Sequence, residues 1–298
     1  MTSSAPIVDI MLPFWGDPSL LFEAVRSVQE QTDPGWRLVV VDDAYPDSSV
    51  AAHFAALTDE RIVYVRNTEN LGIIANFATC ARLAEAPWMV MLGSDDKLRP
   101  QYVAELRAAQ RRAPDADVIA FRVETIDEHG RPHRPLADRI KRFLTPARTQ
   151  VLSGSRLVAS LMKGNWLYWP SLALRTRRVQ HFGFRDDLPI ILDLALIMEI
   201  AFSHGRLLFV SGDPTFDYRR HSSSLSQKTI SDGVRFADER RFHREIAMRA
   251  RQLGWRRAAV WAALRPSSRL HAMVALPSVL ASGNAAALRA SLRNALLP

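Results

Sequence analysis

The first 112 residues alternate short apolar runs with stretches of helical periodicity, and this alternation constrains the fold more than any other feature. The runs are rich in β-branched residues, which is typical of buried strands. They cover residues 7–12, 38–41, 62–65 and 88–92, and helical spacing follows at 19–28, 50–57, 73–85 and 101–112. Strands that are joined through helices run parallel. The sequence therefore predicts an α/β fold with a mostly parallel sheet flanked by helices.

The pattern continues less regularly in the second half. It predicts strands over 117–121 and 207–210, helices over 153–162 and 193–203, and an irregular excursion over 127–149, which is rich in Arg, Pro and His. We expect Pro13 to end the first strand, because proline has no N–H to donate within a central ladder.

The formal net charge of +8 is concentrated at one end of the chain. Residues 1–234 carry a net charge of −1, whereas residues 235–298 carry +9. The body lacks the basic, aromatic-interleaved surface of a nucleic-acid reader, so we expect no nucleic-acid partner. We predict one domain over 1–234, with halves at about 1–122 and 150–234, and a helical, arginine-rich extension over 235–298.

Cys80 is the single cysteine, so the chain can form neither an intramolecular disulfide nor a thiolate metal site. The N-terminus lacks the basic start of a signal peptide, and no apolar stretch reaches the ~20 residues of a membrane span. We expect a cytoplasmic protein, and we expect Cys80 to pack in the core.

Pairs of acidic residues follow two of the predicted strands. Asp42-Asp43 and Asp95-Asp96 both lie at carboxyl ends, which converge in a parallel sheet, as does Pro13-Phe14-Trp15. Such carboxylates suit Mg²⁺ or Mn²⁺ completed by substrate phosphates, although a single pair can equally be a turn or a helix cap. Neither G-x-x-x-x-G-K-[ST] nor G-x-G-x-x-G occurs, which argues against P-loop and dinucleotide-binding folds.

These motifs, in this order and spacing, resemble the family 2 inverting glycosyltransferases of GT-A fold. The resemblance covers roughly residues 7–225. It rests on Ile10 to Trp15, Ser27-Val28 with Gln31, Val41-Asp42-Asp43, Asn70-Leu71-Gly72 with Asn76-Phe77, and Leu92-Gly93-Ser94-Asp95-Asp96.

The resemblance implies a nucleotide diphosphate sugar as donor and assigns residues to it. Pro13 and Trp15 would line the nucleobase pocket, Asp43 would accept a hydrogen bond from the base, and Asp95 would hold the ribose. Asp96 would bind the metal. Asn76, Arg219 and Arg220 would complete the donor site, and His221 of the segment Tyr218-Arg219-Arg220-His221 would reach the diphosphate or the metal.

The catalytic residue implied by the resemblance is Asp193, as the general base that deprotonates the acceptor hydroxyl. Asp186 and Asp187, in the segment 182–187, are acceptor candidates. Trp166 and Trp169 either stack on an acceptor sugar or belong to the core. The sequence departs from the family pattern at Gly16, Ala44-Tyr45 and Leu192.

The expected activity is sugar transfer to a glycan or lipid-linked acceptor in cell-envelope or surface-polysaccharide synthesis. Two alternatives stay open, a sugar-nucleotide nucleotidyltransferase and a catalytically degenerate scaffold at the membrane. The arginines of the extension, together with Trp255 and Trp261, either contact an anionic membrane surface or form an ordinary packing helix. In the former case the protein would be peripheral at the inner face of the cell membrane.

Overall fold

The computed structural model describes residues 5–220, 234–281 and 285–296. Its strands are β1 (Val8–Phe14), β2 (Trp36–Asp42), β3 (Ile62–Arg66), β4 (Trp88–Met91), β5 (Lys97–Leu98), β6 (Val118–Phe121), β7 (Val123–Ile126), β8 (Gln150–Ser153), β9 (Ala173–Arg175), β10 (Arg206–Val210) and β11 (Phe216–Arg219).

The helices lie mainly in the connections between these strands. They are α1 (Pro18–Gln29), α2 (Ser49–Ala55), α3 (Ile73–Leu83), α4 (Tyr102–Arg112), α5 (Leu136–Leu144), α6 (Gly154–Lys163), α7 (Thr176–Phe182), α8 (Leu192–Phe202), α9 (Val234–Gln252), α10 (Arg256–Leu264), α11 (Pro266–Ala281) and α12 (Ala285–Leu296).

The main sheet has eight strands in the order β3-β2-β1-β4-β9-β6-β10-β8. Strands β1 to β4, β6 and β10 run parallel, whereas β9 and β8 are antiparallel to their neighbours. A second sheet, β5-β11-β7, lies beside it. The predicted α/β fold with a mostly parallel sheet is confirmed.

Both faces of the main sheet are buried under helices, and successive side chains of a strand point to opposite faces. Met11 of β1 belongs to one apolar cluster with α3, α6 and α8, whereas Ile10 and Leu12 belong to another with α1 and α4. The molecule is therefore a three-layer structure of helices, sheet and helices. The carboxyl ends of the parallel strands meet at one edge.

Pro13 does not end the first strand, so this prediction is wrong. It lies inside β1, in register with Val41 of β2. On its other side β1 pairs with β4 only as far as Met11. The carbonyl of Met11 points toward β4. The backbone nitrogen of Pro13 points to the same side, beyond the last residue pair between β1 and β4. The missing N–H of Pro13 therefore costs no ladder hydrogen bond.

The excursion over 127–149 contains α5, which was not predicted. Its buried residue is the charged Asp138, while Leu136 and Phe143 are exposed, so hydropathy does not indicate which side faces the protein. Strands β5, β7, β8, β9 and β11, which have two to four residues each, were also missed.

The helices of the extension pack against the main domain rather than standing apart. Phe242 and Ile246 of α9 and Ala258 of α10 share one apolar cluster with α6 and α8. The domain boundary at 234/235 stays a prediction, but the core is continuous across it.

Trp255 and Trp261, which the sequence left as either membrane-contacting or packing residues, both pack against the protein and stay partly exposed. The ring of Trp255 stacks on Phe202 at 5.3 Å, and both tryptophans pack against the apolar cluster. Cys80 is fully buried, as expected. No helix in the described ranges combines the length and hydrophobicity needed to cross a bilayer.

Candidate active site

The candidate site lies where β1, β2 and β4 end side by side. Phe14 is in register with Asp42, and the N–H of Asp43 donates to the carbonyl of Phe14 at 3.0 Å. On the other side the N–H of Leu92 donates to the carbonyl of Met11. The two acidic pairs, far apart in sequence, are thus only two strands apart in the sheet.

Asp43 organises the segment that follows β3. Its carboxylate accepts hydrogen bonds from the Asn67 side-chain amide at 2.8 Å and from the backbone N–H groups of Leu71 and Gly72 at 2.9 Å. The residue is 2% exposed. A carboxylate has about four acceptor sites, so one remains for a ligand. The predicted nucleobase contact by Asp43 is compatible with this geometry and stays a prediction.

Asn76 lies behind Asp43 and is buried. Its side chain donates to the carbonyl of Val41 at 3.1 Å and accepts from Asn67 at 3.1 Å. Asn76 therefore positions the end of β2 and, through Asn67, the carboxylate of Asp43. The structure gives it a supporting role, and direct contact with a donor stays untested.

Trp15 and Tyr45 form an aromatic ledge at the ends of β1 and β2. Trp15 is 52% exposed and meets the ring of Tyr45 edge to face at 5.5 Å. Tyr45 also packs against buried Phe14 at 5.0 Å. Between the acidic pair and Tyr45, Ala44 has a φ of 59°, a left-handed conformation that a side chain disfavours. This strained turn aims Tyr45 toward Trp15.

The carboxylates of Asp95 and Asp96 converge above Gly93. Asp96 Oδ2 lies 2.6 Å, and Asp95 Oδ1 3.0 Å, from the point that a Cβ on residue 93 would occupy. A side chain at this position would fill the space between the two carboxylates. Gly16 faces the same turn, since a Cβ there would lie 3.8 Å from Ser94 Oγ.

Asp96 is buried in a negative environment. Burial, together with the neighbouring charge of Asp95, raises the pKa of its carboxyl well above the ordinary value. The backbone N–H of Arg219 opposes this shift by donating to Asp96 Oδ1 at 2.8 Å. A cation at this position would relieve the repulsion, so the donor set fits a hard divalent metal.

The described ranges contain no group of three or more His, Cys, Asp or Glu side chains that could hold a metal by itself. Asp95 and Asp96 would therefore need further oxygen ligands, which a diphosphate can supply. His221, the other predicted metal residue, lies outside the described residues.

Arg219 is 3% exposed, and its guanidinium is engaged by the protein. It donates to the carbonyls of Asp95 and Glu128 at 2.8 Å each, and to the Glu23 carboxylate at 2.7 Å. Arg219 thus fixes the turn that carries Asp95. Direct contact with a diphosphate would require some of these hydrogen bonds to break, so the predicted donor role is not favoured by this geometry.

Arg220 is held in a similar way by α5. Its guanidinium donates to both carboxylate oxygens of Asp138, at 2.9 and 2.5 Å, and lies 4.7 Å from the ring centre of Tyr218. Asp138 also accepts from the Tyr168 hydroxyl at 2.8 Å. Arg220 is partly exposed, so its predicted contact with the donor needs no rearrangement of a buried group.

Asp193 lies in the first turn of α8 and is partly exposed. Its carboxylate accepts from the N–H of Leu194 at 2.7 Å. The positive end of the helix dipole favours a negative charge here. The predicted role of Asp193 as general base stays a prediction.

Asp187 and Asp186 are both exposed. Asp187 forms ion pairs with Arg185 at 2.9 Å and Arg241 at 3.3 Å, and the hydrogen bond from Arg185 lowers the pKa of its carboxyl. It therefore links the segment after α7 to α9. An acceptor role for either residue stays untested.

The predicted acceptor tryptophans are mostly core residues. Trp166 is 3% exposed and meets Phe209 edge to face at 5.5 Å, and Trp169 packs against the apolar cluster and Phe184. Only Trp166 also lines a cavity, which is described below.

A match to known protein families decides the classification. The model of glycosyl transferase family 2 matches residues 9–179, which include β1 from its second residue, both acidic pairs and all of β9. This match covers more than half of the chain. The chain belongs to glycosyl transferase family 2.

Curated relatives of this glycosyl transferase family 2 chain include the putative colanic acid biosynthesis glycosyl transferase WcaA of Escherichia coli (strain K12). It is 27% identical over 108 residues, which is 36% of this chain and 39% of WcaA. The alignment therefore spans less than two thirds of the relative.

Solved structures of similar fold support a GT-A architecture for this family 2 chain. TarS 1-349 of S. aureus, in complex with UDP-GlcNAc, has a TM-score of 0.62 at 16% identity, over 80% of this chain and 66% of that one. The mannosyltransferase PcManGT of Pyrobaculum calidifontis, in complex with GDP-Man and Mn²⁺, has a TM-score of 0.58 at 16% identity, over 99% of this chain and 88% of that one.

Sequence reasoning missed four residues of the family 2 site. They are Glu23, Tyr45, Asn67 and Asp138. Asn67 had a usable signal, because it directly follows a strand, as Asp43 does. Glu23 and Asp138 carried none, since a charged residue on a helix ordinarily faces solvent.

Proposed function

We propose that this chain is an inverting glycosyltransferase that moves a sugar from a nucleotide diphosphate donor to a hydroxyl of a glycan or glycolipid acceptor. The observation that carries the proposal is the convergence of Asp95 and Asp96 above Gly93, two strands away from Asp43. A metal-diphosphate site and a nucleobase site would then lie at the same edge of one sheet.

The donor nucleotide fits the groups around β1 and β2. The ledge of Trp15 and Tyr45 offers an exposed aromatic surface to a base, and Asp43 retains an acceptor site beside it. Pro13, in β1, is partly exposed at the same edge. Asp95 would hold the ribose, as the resemblance implies.

The metal is Mn²⁺ or Mg²⁺, held by Asp96 with Asp95 beside it. When bound, such an ion neutralises the diphosphate and stabilises it as a leaving group. The PcManGT structure, which contains Mn²⁺, supports this choice. Arg220 and His221 are the residues of the 218–221 segment that we assign to the diphosphate.

Asp193 is assigned as the general base. Its carboxylate takes the proton from the acceptor hydroxyl while the oxygen attacks the anomeric carbon. The bond between that carbon and the diphosphate oxygen breaks at the same time, and the nucleoside diphosphate leaves with the bonding electrons. Because one displacement occurs, the configuration at the anomeric carbon inverts.

The acceptor belongs to an envelope or surface polysaccharide. Support comes from WcaA, whose name refers to colanic acid biosynthesis. Family membership favours glycosyl transfer over the nucleotidyl transfer that the sequence left open. The degenerate-scaffold alternative is tested by nucleotide binding, below.

The extension is proposed to contact an anionic membrane surface at the inner face of the cell membrane. On α10, Arg256, Arg257, Val260 and Leu264 are exposed at helical spacing, so basic and aliphatic side chains share one face. A face of this composition suits the boundary between head groups and acyl chains. This arrangement would bring the enzyme to a lipid-linked acceptor.

Thermal shifts with UDP, GDP and dTDP, with and without Mn²⁺, test the donor site. Wild type should be stabilised by one nucleotide, by about 3 kcal/mol at a hundredfold excess over Kd, and more strongly when Mn²⁺ is present. Asp96→Asn should lose the Mn²⁺ effect, whereas Glu105→Gln on the exposed side of α4 should behave as wild type. If no nucleotide stabilises wild type, the proposal is wrong and the degenerate scaffold is favoured.

A further inference from the structure

A large cavity lies at the carboxyl ends of β6 and β10, and residues of β7 in the small sheet also line it. Its volume is about 970 Å³, at the upper end of the range for small-molecule sites. The loops after β6 and β10 form one side, and α5 forms another. Nothing in the proposed donor site uses this cavity.

The cavity is connected to the candidate metal site through the consecutive residues Arg219 and Arg220. Asp138, which lines it, holds the guanidinium of Arg220. The preceding residue, Arg219, donates its backbone N–H to Asp96. A ligand in the cavity would therefore lie beside the diphosphate end of the donor, where the reacting hydroxyl of an acceptor is needed.

The charges in the lining are unbalanced. Three of its charged residues are already neutralised, since Arg134 forms a two-point ion pair with Glu124 at 2.7 and 2.6 Å and Asp138 is paired with Arg220. The lining also contains Arg122, Arg139, Arg142 and Asp213.

Among the described residues, no carboxylate pairs with Arg122, Arg139 or Arg142. Arg139 and Arg142 are three residues apart on α5 and so share a face, and Arg122 approaches from the turn between β6 and β7. Three guanidinium groups face a single carboxylate, that of Asp213. Guanidinium groups bind phosphate and carboxylate groups through paired hydrogen bonds, so the lining selects an anion.

The lining also carries flat apolar surfaces. Phe143 on α5 is 85% exposed, and Trp166 and Tyr168 contribute to the wall. The Tyr168 hydroxyl is fixed by Asp138, which keeps the ring in place. Aromatic rings of this kind pack well against the C–H faces of sugar rings, which an inorganic anion does not possess.

We propose that this cavity binds the acceptor, and that the acceptor is an acidic glycan carrying a phosphate or carboxylate close to the hydroxyl that receives the sugar. The inference rests on the proposed function, because it names the acceptor class for the same reaction. Arg122, Arg139 and Arg142 bind the anionic group, and Phe143 contacts the neighbouring sugar ring.

Binding of defined oligosaccharides by isothermal titration tests the proposal in full-length protein without nucleotide. The probes are a hyaluronan tetrasaccharide, which carries carboxylates, a glycerol phosphate tetramer, neutral chitotetraose and inorganic phosphate. We expect the better of the two anionic oligomers to bind at least about tenfold more tightly than chitotetraose, because charge-assisted hydrogen bonds are lost with the neutral sugar. Comparison with the glycerol phosphate tetramer shows which anion is preferred.

The key variant is Arg122→Gln/Arg139→Gln/Arg142→Gln, with Arg112→Gln on the exposed side of α4 as the matched control. The triple variant should lose at least about tenfold in affinity for the anionic probe, whereas the control should lose none. Since the three arginines have no pairing carboxylate in the described residues, the melting temperature should stay within a few degrees of wild type.

A second variant blocks the cavity without changing its charge. Gly212 lines the cavity, and a Cβ there meets nothing within 4 Å. Gly212→Leu should therefore fold, and it should weaken binding of the anionic probe. This variant decides the question if the triple variant unfolds.

Three results would overturn the inference. They are equal affinity for chitotetraose and for both anionic oligomers, unchanged affinity in both variants, and binding of inorganic phosphate as tightly as the better anionic oligomer. Nucleotide thermal shifts on the same samples separate the two proposals. If wild type binds no nucleotide, the proposed function is rejected. If wild type binds a nucleotide but no anionic glycan, only this inference is rejected.

Discussion

Arg219 and Asp96 are joined by a 2.8 Å hydrogen bond from the backbone N–H of the arginine to the carboxylate, across 123 residues of sequence. The same arginine holds the carbonyl of Asp95 with its side chain. The position of the acidic pair thus depends on β11 of the small sheet as well as on β4. The small sheet therefore helps to position the candidate metal site.

Replacing Arg219 by lysine should lower the free energy of unfolding by about 3 kcal/mol. A lysine cannot donate in all the directions that the buried guanidinium serves, so carbonyls of Asp95 and Glu128 lose their partners. Urea denaturation measures the loss. The matched control is Glu23→Gln, which breaks only the half-exposed ion pair and should cost less than about 1 kcal/mol. Equal costs for the two variants would contradict this account.

Asp96→Asn should stabilise the metal-free protein at neutral pH. The folded-state pKa of this carboxyl is raised, so the folded protein binds the proton more tightly than the unfolded chain does. The stability of wild type therefore falls as the pH rises above about 4, and a neutral asparagine does not suffer this loss.

Urea titrations in EDTA between pH 4 and pH 8 measure the effect. The advantage of Asp96→Asn should grow with pH and nearly vanish at the acid end. A constant difference across this range would show that the substitution acts through packing instead.

Asp193→Asn should abolish sugar transfer while leaving donor affinity unchanged, because a general base acts on the acceptor. Transfer assays and nucleotide thermal shifts on the same preparation separate the two effects. Glu105→Gln, on the exposed side of α4, is the control and should retain activity. Near-normal turnover of the Asp193 variant would move the base to Asp186 or Asp187.

Ala44→Gly should raise the free energy of unfolding by about 0.5 kcal/mol. The left-handed φ of 59° costs a side chain about 1–2 kcal/mol, and this gain exceeds the extra entropy that glycine loses on folding. Ala44→Val should destabilise, since a branched side chain fits this conformation poorly. Urea midpoints compare the three proteins. A less stable glycine variant would show that the turn is not strained.

Neutralising the basic face of the extension should release the protein from anionic vesicles. Each arginine near the surface contributes about 1 kcal/mol, so replacing Arg256 and Arg257 of α10, together with the exposed Arg251 at the end of α9, by glutamine should weaken binding by about a hundredfold. Co-sedimentation with phosphatidylglycerol and phosphatidylcholine vesicles at low and high salt measures it. The control removes three exposed arginines from the main domain, Arg26, Arg111 and Arg112. If wild type ignores both lipids at low salt, the extension is a packing element.

The sequence was sufficient for features that depend on local periodicity or on the ends of strands. The alternating pattern predicted β1 to β4 and the helices between them, and the strand ends brought Asp43 and Asp95-Asp96 to one edge. Pro13 was misjudged because a proline is tolerated where a neighbouring strand has already stopped.

The sequence was insufficient where a role depends on a distant partner. Arg219 looks like a ligand-binding residue in its motif, yet its guanidinium is engaged by residues more than 90 positions away. Asp138 lies in a segment with no strand or helix signal, and only the folded protein shows that it anchors Arg220. Contacts of this kind leave no periodic trace in a sequence.

The apolar cluster shared by α6, α8, α9 and α10 also bears on how the chain acquires its structure. During synthesis, the face of the main sheet that carries this cluster is not fully covered until Phe242, Ile246 and Ala262 have emerged from the ribosome. A nascent chain with this face uncovered presents apolar surface to chaperones until late in its elongation. Unfolding of the finished protein should correspondingly remove the sheet and α9–α10 in one cooperative step.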